Sequence, residues 1–258
     1  MKLAIAGKGG VGKTTIAGTM ARHLAAGGRR VIALDNDLNP NLSLTLGIAA
    51  ERLTDLPTLP PDVCVRLGPG EHELTMTFEE ICDVCALDAP DGVTLLVAAQ
   101  PTRANTGCFG IMHKAMRHVL RVAPGDVCIL DTEASTEHLC IGTAKHADAM
   151  FAVVEPYFKS LETGRRIVRL AADLGIPRLG LIANQVRDDD ELAVVRAFAA
   201  EHGIELTGQI PYDECFFEAE RAAVAPIDFA ADAKAVVAIC ELADAVVGPP
   251  ARLSLVGT

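Results

Sequence analysis

Hydrophobic residues along the chain gather in short, continuous runs, and longer segments with a helical period lie between them. A continuous apolar run of this kind is typical of a strand that is covered on both faces, as in a mainly parallel sheet. The predicted strands are Leu3–Ala6, Val31–Leu34, Val63–Leu67, Val93–Ala98, Val127–Leu130, Ala149–Val154, Leu179–Ala183 and Glu205–Ile210. The predicted helices are Lys13–Ala26, Thr106–Val122, Ser160–Leu174, Asp189–His202 and Asp232–Val247.

The alternation of strands and helices predicts the architecture of the chain. It indicates an α/β fold with a doubly wound, mainly parallel sheet of about seven or eight strands and helices on both faces. Residues 1–258 are predicted to form a single domain. Between Ala50 and Asp91 the alternation stops, and prolines, acidic residues and a Cys-x-x-Cys take its place. The pattern leaves most of the structure of that segment open.

The composition restricts the partners and the compartment. Half of the 258 residues are hydrophobic and none is Trp, so the core is expected to consist mainly of Ala, Val, Leu and Ile. A net charge of −11 argues against binding to nucleic acid or to an anionic membrane. No apolar stretch reaches the roughly 18 residues that cross a membrane. Eight cysteines in a chain without a signal peptide indicate a reducing, cytoplasmic compartment rather than a secreted disulfide scaffold.

The strongest chemical signal is a glycine-rich segment directly after the first predicted strand. Residues 7–15 read GKGGVGKTT and satisfy the phosphate-loop pattern G-x-x-x-x-G-K-S/T. Backbone N–H groups of such a loop, with a helix N-terminus behind them, form a cradle for phosphate oxygens. Lys13 is predicted to reach the β- and γ-phosphates, Thr14 to offer its hydroxyl to Mg²⁺, and Thr15 to lie near the α-phosphate. The predicted nucleotide-binding residues of the loop are Gly7, Gly9, Gly10, Val11, Gly12, Lys13, Thr14 and Thr15.

The phosphate-loop pattern does not require the other lysine of this segment, Lys8. On the residues alone, Lys8 is either a solvated loop lysine or a functional cation. The wording GKGGVGKTT resembles the deviant phosphate loop of the family that contains the nitrogenase iron protein, the MinD and ParA partition ATPases, the arsenite-pump ATPase and the CooC-type nickel-maturation ATPases. The resemblance implies an Mg²⁺-dependent ATPase that forms a homodimer on binding ATP. It also implies that Lys8 crosses the two-fold interface to the partner's phosphates, where it stabilises charge as an arginine finger does.

Two acidic segments follow predicted strands, at the edge where α/β sheets bind their ligands. The first contains Asp35 and Asp37. The resemblance makes it switch I, in which Asp37 orients or deprotonates the attacking water and Asp35 helps to hold the water shell of the metal. The second acidic segment, called the second switch below, contains Asp131 directly after the predicted strand Val127–Leu130, in a Walker B pattern. Asp131 is predicted to accept from Mg²⁺-bound water or from Thr14. The family has a glycine soon after this aspartate, whereas Ala134–Ser135 stands here.

Two segments nearer the C-terminus resemble the parts of the family that bind the base of ATP or ADP. Asn184, at the end of a predicted strand, would bond the adenine edge, and Pro211 with Tyr212 would close over the base. Gln185 stands where the family has a lysine. Without the resemblance, an ordinary strand-end asparagine and an ordinary turn explain the same residues.

Further stretches resemble the CooC-type branch of the family most closely. Besides the opening MKLAIAGKGGVGKTT, they are Glu137–Leu139 and Gly142–Ala144 after the second switch, and Val154–Pro156 and Ser160–Gly164 after the next strand. Members of that branch dimerise on nucleotide binding and help to load a metal into an enzyme. The resemblance therefore implies that the chain assists nickel insertion or metallocentre maturation in a client metalloenzyme.

The cysteines depart from that branch, which carries Cys-x-Cys before a helix so that two subunits present four thiolates to nickel or zinc. The corresponding stretch here has one cysteine, Cys108. The alternative to a metal ligand at this position is a buried cysteine at the start of a helix. Its setting, Gly-Cys-x-Gly, resembles the nitrogenase iron protein, whose loop cysteine binds a bridging 4Fe-4S cluster. That comparison makes Cys140, nine residues after Asp131, a candidate second ligand. Cys108 and Cys140 are thus the candidate interface ligands for Ni²⁺, Zn²⁺ or a cluster.

The remaining candidate ligands carry weaker signals. Cys82 and Cys85 form a lone Cys-x-x-Cys, for which two cysteines on a short helix is favoured over a redox pair or half of a metal site. Four histidines show no metal-ligand spacing: His113, His118, His138 and His146.

Three functions remain open. The leading hypothesis is a CooC-type ATPase, and the first alternative is an ATP-gated electron donor with an interface 4Fe-4S cluster. The second alternative is a MinD- or ParA-like positioning switch. The negative charge and the lack of a basic amphipathic helix at the C-terminus count against that switch.

Overall fold

The computed structural model describes residues 1–52, 55–103 and 109–249. The strands are β1 Lys2–Gly7, β2 Val31–Asn36, β3 Cys64–Gly68, β4 Glu71–Leu74, β5 Leu87–Ala89, β6 Val93–Val97, β7 Val127–Thr132, β8 Ala149–Val154, β9 Arg178–Val186 and β10 Leu206–Pro211. The α-helices are α1 Lys13–Ala26, α2 Leu42–Thr45, α3 Phe78–Cys85, α4 Gly110–Val122, α5 Glu137–Ile141, α6 Phe158–Asp173, α7 Asp189–Glu201, α8 Cys215–Arg221, α9 Pro226–Phe229 and α10 Lys234–Val247.

One eight-stranded sheet organises the chain, in the order β10-β9-β8-β1-β7-β2-β6-β5. Every neighbouring pair in it is parallel except β5 and β6. The predicted doubly wound, mainly parallel architecture is confirmed. Because β1 lies between β8 and β7, the loop after β1 emerges near the middle of the carboxyl edge of the sheet.

Both faces of the sheet are covered, which explains the continuous apolar runs. Along β1, Leu3 and Ile5 pack into the core that contains α1 and α10, whereas Ala4 and Ala6 face the core that contains α4, α6 and α7. All four side chains are fully buried. A strand with this double burial needs apolar residues at every position, so its sequence shows no alternation.

The segment between Ala50 and Asp91 contains the main differences from the predicted elements. The predicted strand Val63–Leu67 does not join the sheet, because the turn Gly68–Gly70 folds it back as an antiparallel hairpin of β3 and β4. The short strand β5 was not predicted, and it pairs antiparallel with β6 at the sheet edge.

Two other sequence predictions concern helices. Cys82 and Cys85 both lie on α3, as the favoured interpretation of the Cys-x-x-Cys expects. The helix predicted for Thr106–Val122 starts outside the described residues. Its described part, α4, begins at Gly110. Across residues 1–52, 55–103 and 109–249, no helix combines the length and apolar character that a membrane crossing requires.

A buried arginine ties α1 to three other parts of the fold. Arg22 Nε donates to Asp91 at 2.6 Å, and its terminal nitrogens donate to the carboxylate of Asp228 on α9 at 2.9 and 2.7 Å. Nη1 also donates to the carbonyl of Leu46, directly after α2, at 2.8 Å. A Cβ at Gly47 would lie 2.9 Å from Nη1, so only glycine leaves room for this arrangement. Arg22 therefore fixes α2 and α9 against the helix that follows the glycine-rich loop.

Replacing Arg22 with Ala is expected to lower the free energy of unfolding by about 1.5–3 kcal/mol, because several hydrogen bonds to charged groups are lost. Urea unfolding followed by circular dichroism measures the change. Arg166→Ala is the matched control, since Arg166 is exposed and pairs with Glu162 on the same helix. That variant is expected to lose at most about 1 kcal/mol. Equal losses in the two variants would contradict the role assigned to Arg22.

Candidate functional site

The loop between β1 and α1 has a backbone that only glycine adopts readily. Gly7, Gly10 and Gly12 have φ angles of 152°, 82° and 91°. A Cβ at Gly7 would lie 2.7 Å from the carbonyl oxygen of Val153 on the neighbouring strand. The glycines therefore allow both the turn and the close approach of the loop to β8. Gly9 faces Ala134 of the second switch, since a Cβ there would lie 3.5 Å from the Ala134 Cβ.

The N-terminus of α1 offers free N–H groups at this loop. Its N-cap is Gly12, which has no capping side chain, and its first turn holds no acidic residue. Uncapped N–H groups and the positive end of the helix dipole favour an anion. The loop and helix thus have the geometry of an anion cradle, and its binding of phosphate stays a prediction.

Lys13 is the cation of this cradle. The residue is 6% exposed, and its ammonium donates to the carbonyl of Lys8 at 3.3 Å, which leaves further N–H donors for a ligand. Burial lowers the pKa of Lys13, whereas the nearby carboxylates of Asp131, Asp37 and Glu133 act in the opposite direction. A buried cation beside several carboxylates is suited to an anionic ligand that arrives together with a metal ion.

Asp35 and Asp131 lie opposite each other, one residue before the ends of the neighbouring strands β2 and β7, and are both buried. Thr14 donates to Asp131 Oδ2 at 2.6 Å. Burial, with the adjacent Asp35, raises the pKa of Asp131 to about 8. Burial likewise raises the pKa of Asp35 to about 6, although its oxygens accept from the backbone N–H groups of Leu42 and Asp37 at 2.9 and 3.1 Å. The two carboxyl groups form a pair that a cation would stabilise.

The residues present fit a magnesium ion. Asp131 Oδ1 is buried and has no hydrogen-bond partner among the described residues, and the Thr14 hydroxyl lies beside the same carboxyl group. Hard oxygen ligands of this kind are those that Mg²⁺ prefers. Asp35 shapes the switch I turn through its bonds to Leu42 and Asp37, and its share in the metal's water shell stays a prediction.

Asp37 and Lys8 lie at the rim of the site. The Asp37 carboxylate accepts from the backbone N–H of Asn39 at 2.9 Å, so it is held in a local turn and is half-buried. Lys8 Nζ donates to the Tyr157 hydroxyl at 3.3 Å and lies 5.4 Å from the centre of that ring. Tyr157 is 41% exposed, and Phe158 beside it is 74% exposed. Lys8 is therefore held by a surface tyrosine, Tyr157.

Asn184 supports the loop. Its Nδ2 donates to the carbonyl of Val11 at 2.7 Å, and a Cβ at Gly12 would lie 2.4 Å from that nitrogen. Asn184 Oδ1 is buried without a partner among the described residues. The side chain thus fixes the loop as well as lining the adjacent cavity, and its predicted bond to adenine stays a prediction.

A cavity of about 510 Å³ opens from the loop toward the segments predicted to hold the base. Its size falls in the usual range for small-molecule sites, roughly 300–1,000 Å³. Tyr212 presents a ring that Arg187 covers at 4.6 Å from the centroid, with Phe217 at 6.4 Å on another side. The sequence-predicted residues that line the cavity are Gly10, Gly12, Lys13, Thr14, Thr15, Asn184, Pro211 and Tyr212.

The candidate metal-binding cysteines lie in different environments. Cys108 lies outside the described residues. Cys140 is exposed on α5. Burial raises the thiol pKa of Cys82 and raises that of Cys85 to about 11, which keeps both protonated and poor as ligands or nucleophiles. Within the part of the chain that the structure describes, no group of three or more His, Cys, Asp or Glu side chains has the geometry to hold a metal ion.

The sequence alone did not single out several neighbours of these residues. Tyr157, which holds Lys8, directly follows the Val154–Pro156 stretch, and that position is the signal that would have found it. Arg187 and Phe217 pack around Tyr212 from other elements. No spacing rule connects them, because their proximity depends on how β9, β10 and α8 are arranged.

The family CbiA, described as the CobQ/CobB/MinD/ParA nucleotide binding domain, matches residues 2–235. The chain belongs to this family. It is 35% identical to the carbon monoxide dehydrogenase accessory protein CooC of Rhodospirillum rubrum, over 88% of this chain and 90% of CooC. It is 36% identical to the uncharacterized ATP-binding protein MJ0823 of Methanocaldococcus jannaschii, over 85% and 88% of the two chains. The septum site-determining protein MinD of Pyrococcus horikoshii, solved with Mg-ADP, has the same fold, with a TM-score of 0.71 over 95% of each chain at 18% identity.

Replacing Asp131 with Asn is expected to stabilise the protein at alkaline pH when Mg²⁺ and nucleotide are removed with EDTA. Between the ordinary carboxyl pKa of about 3.9 and the raised value of about 8, the folded protein keeps a proton that the unfolded chain releases. Stability therefore falls as the pH rises through this range, and Asn escapes that loss. Thermal unfolding measures it, at about 2–4 °C for each kcal/mol.

The gain is expected at about pH 9 and should shrink toward about pH 5, where the carboxyl group is protonated in the folded protein. Mg-ADP should stabilise the wild type and leave Asp131→Asn nearly unchanged. Asp83→Asn, at an exposed position of α3, is the control for a simple change in net charge. A lower melting temperature for Asp131→Asn than for the wild type at alkaline pH would contradict the prediction.

Proposed function

We propose that the chain is a cytoplasmic, Mg²⁺-dependent ATPase of the CooC type. It dimerises on binding ATP and assists the insertion of nickel, or another step of metallocentre maturation, in a client metalloenzyme. The likeness to CooC over most of both chains supports this branch of the family. We expect no nucleic acid or membrane partner, in keeping with the net charge of −11.

The observation that carries the proposal is the position of Lys8. One lysine of the loop, Lys13, is buried in the phosphate cradle, whereas the other extends to the surface and contacts Tyr157. A second copy of the chain facing this rim would receive the Lys8 ammonium at its own phosphates. The same contact would cover Phe158, the most exposed large hydrophobic side chain among the described residues. Burial of that ring supplies an apolar contribution to dimer formation.

Each residue of the site has a task in hydrolysis. The loop N–H groups and Lys13 bind and orient the β- and γ-phosphates, and Thr14 with Asp131 holds Mg²⁺, supported by Asp35. Mg²⁺ held by these residues would neutralise charge on the phosphate oxygens. Asp37 positions the attacking water and accepts its proton, and Lys8 of the partner subunit stabilises the charge that develops on the transferred group.

Lys8→Ala is expected to bind nucleotide with nearly wild-type affinity but to lose ATP hydrolysis by about 10³-fold or more, the scale of a lost arginine finger. Lys13→Ala is expected to lose nucleotide binding itself. Fluorescent nucleotide titration, phosphate release and light scattering with ATP and Mg²⁺ measure the three properties. Lys159→Ala is the control, because Lys159 is an exposed lysine near the same rim. Wild-type hydrolysis by Lys8→Ala, or a wild-type protein that stays monomeric with ATP, would overturn the dimeric mechanism.

The metal-handling part of the proposal has its own test. Protein purified without oxygen is expected to bind Ni²⁺ or Zn²⁺ at a stoichiometry near one ion per dimer, and Cys108→Ser is expected to abolish that binding. Cys140→Ser decides whether the second thiolate comes from α5, and Cys82→Ser is the control. Metal analysis with and without ATP is the measurement. Iron with acid-labile sulfide would instead support the electron-donor alternative, and unchanged metal content in Cys108→Ser would contradict a site at this residue.

A further inference from the structure

A buried polar contact links the two switches to helix α4. Asn36 is the last residue of β2 and lies between Asp35 and Asp37. Its Nδ2 lies 2.8 Å from Nδ1 of His113, on the first turn of α4, and both residues are at most 5% exposed. His113 Nε2 lies 3.6 Å from the carboxylate of Glu133, two residues after Asp131. One imidazole therefore touches a side chain from each switch.

The two ring nitrogens face different chemical groups. An amide nitrogen only donates, so in this arrangement Asn36 Nδ2 donates to His113 Nδ1. His113 Nε2 faces the Glu133 carboxylate at a distance longer than a direct hydrogen bond but within electrostatic attraction. Each ring nitrogen thus contacts a different switch. A movement of either switch would change one of these two contacts.

The contacts are largely shielded from water. Asn36 is 1% exposed, and the Glu133 side chain is 16% exposed. His138 on α5 adds a third buried polar group nearby, 0% exposed and without a hydrogen-bond partner among the described residues. In such a setting, a polar group that loses its partner is left unsatisfied, so switch and helix rearrange together rather than separately.

The same helix contains a residue that lacks these contacts. His118 lies five positions later on α4, is 6% exposed, and has neither ring nitrogen hydrogen-bonded within the described residues. The two histidines therefore share helix, burial and chemistry, and differ in contact with the switches. That difference separates a positioning role from packing.

From this geometry we infer that His113 is a positioning residue that couples the switches to α4, so that exchange of ADP for ATP alters the helix that follows the Cys108 segment. The inference rests on the proposed function, because it needs an ATP-responsive site. It goes further by naming the contact through which the nucleotide acts on α4. The β3–β4 hairpin is included in this connection, since Lys114 Nζ on α4 lies 3.2 Å from His72 Nε2 on β4.

Four variants separate the two arms of the contact. His113→Asn keeps a polar atom near the Nδ1 position and so keeps the arm to Asn36. His113→Gln places its amide near the Nε2 position and keeps the arm to Glu133. His113→Leu removes both arms at similar volume, and His118→Leu is the matched control on the same helix.

Hydrogen exchange followed by mass spectrometry tests the coupling on the full chain. The backbone amides of residues 110–122 are compared with Mg-ADP and with the β,γ-imido analogue of ATP and Mg²⁺. In the wild type and in His118→Leu, the two ligands are expected to give exchange rates in α4 that differ roughly fivefold or more, a usual size for coupled sites. In His113→Leu that difference is lost, and the Asn and Gln variants each retain part of it.

A kinetic measurement distinguishes the role from simple loss of structure. His113→Leu is expected to keep its KM for ATP and its ADP affinity while kcat falls, since the residue lies outside the nucleotide cavity. A wild-type response of α4 in His113→Leu, or an equal loss in His118→Leu, would overturn the inference. A wild type that hydrolyses ATP without any change in α4 would also overturn it. A wild type that neither binds nor hydrolyses ATP would instead overturn the proposed function, and this inference with it.

Discussion

The site depends on two carboxyl groups that the sheet forces side by side. Asp35 and Asp131 occupy the same register on adjacent parallel strands, so neither can move away without breaking the sheet. Burial makes two negative charges there costly, and the Thr14 hydroxyl and Lys13 are the nearest compensation. A cation with an anionic ligand would relieve this cost. The same two carboxyl groups therefore account both for the cost of burying the pair and for its predicted affinity for Mg²⁺.

Much of the fold could be predicted from local patterns. Strands buried on both faces need apolar residues at every position, and β1, β2 and β7 show this directly. The phosphate loop was equally accessible, because a turn with positive φ at Gly7, Gly10 and Gly12 demands glycine at those positions. The hairpin could not be assigned in the same way, since the run at Val63–Leu67 has the composition of a sheet strand and only its turn redirects it.

The contacts that join distant segments could not be predicted from the sequence. Arg22 meets Asp228 across 206 positions, and Asn184 meets Val11 across 173. His113 shows no ligand spacing, because its partners are an amide and a carboxylate from two other elements rather than a motif. Such residues acquire their roles from packing. The sequence therefore predicts which groups gather at the loop and its cavity better than it predicts which groups hold and connect them.

The segment between 51 and 91 gives the net charge a particular location. It contains ten of the 34 acidic residues but only two of the 23 basic ones, so the rest of the chain carries a charge of only −3. None of the residues that the structure describes in this segment lines the nucleotide cavity. The long-range electric field of the protein thus originates mainly in the hairpin, α3 and the turns around them. Ionic strength should act on encounters with other macromolecules through this segment, while the nucleotide experiences the local field of the loop and its two lysines.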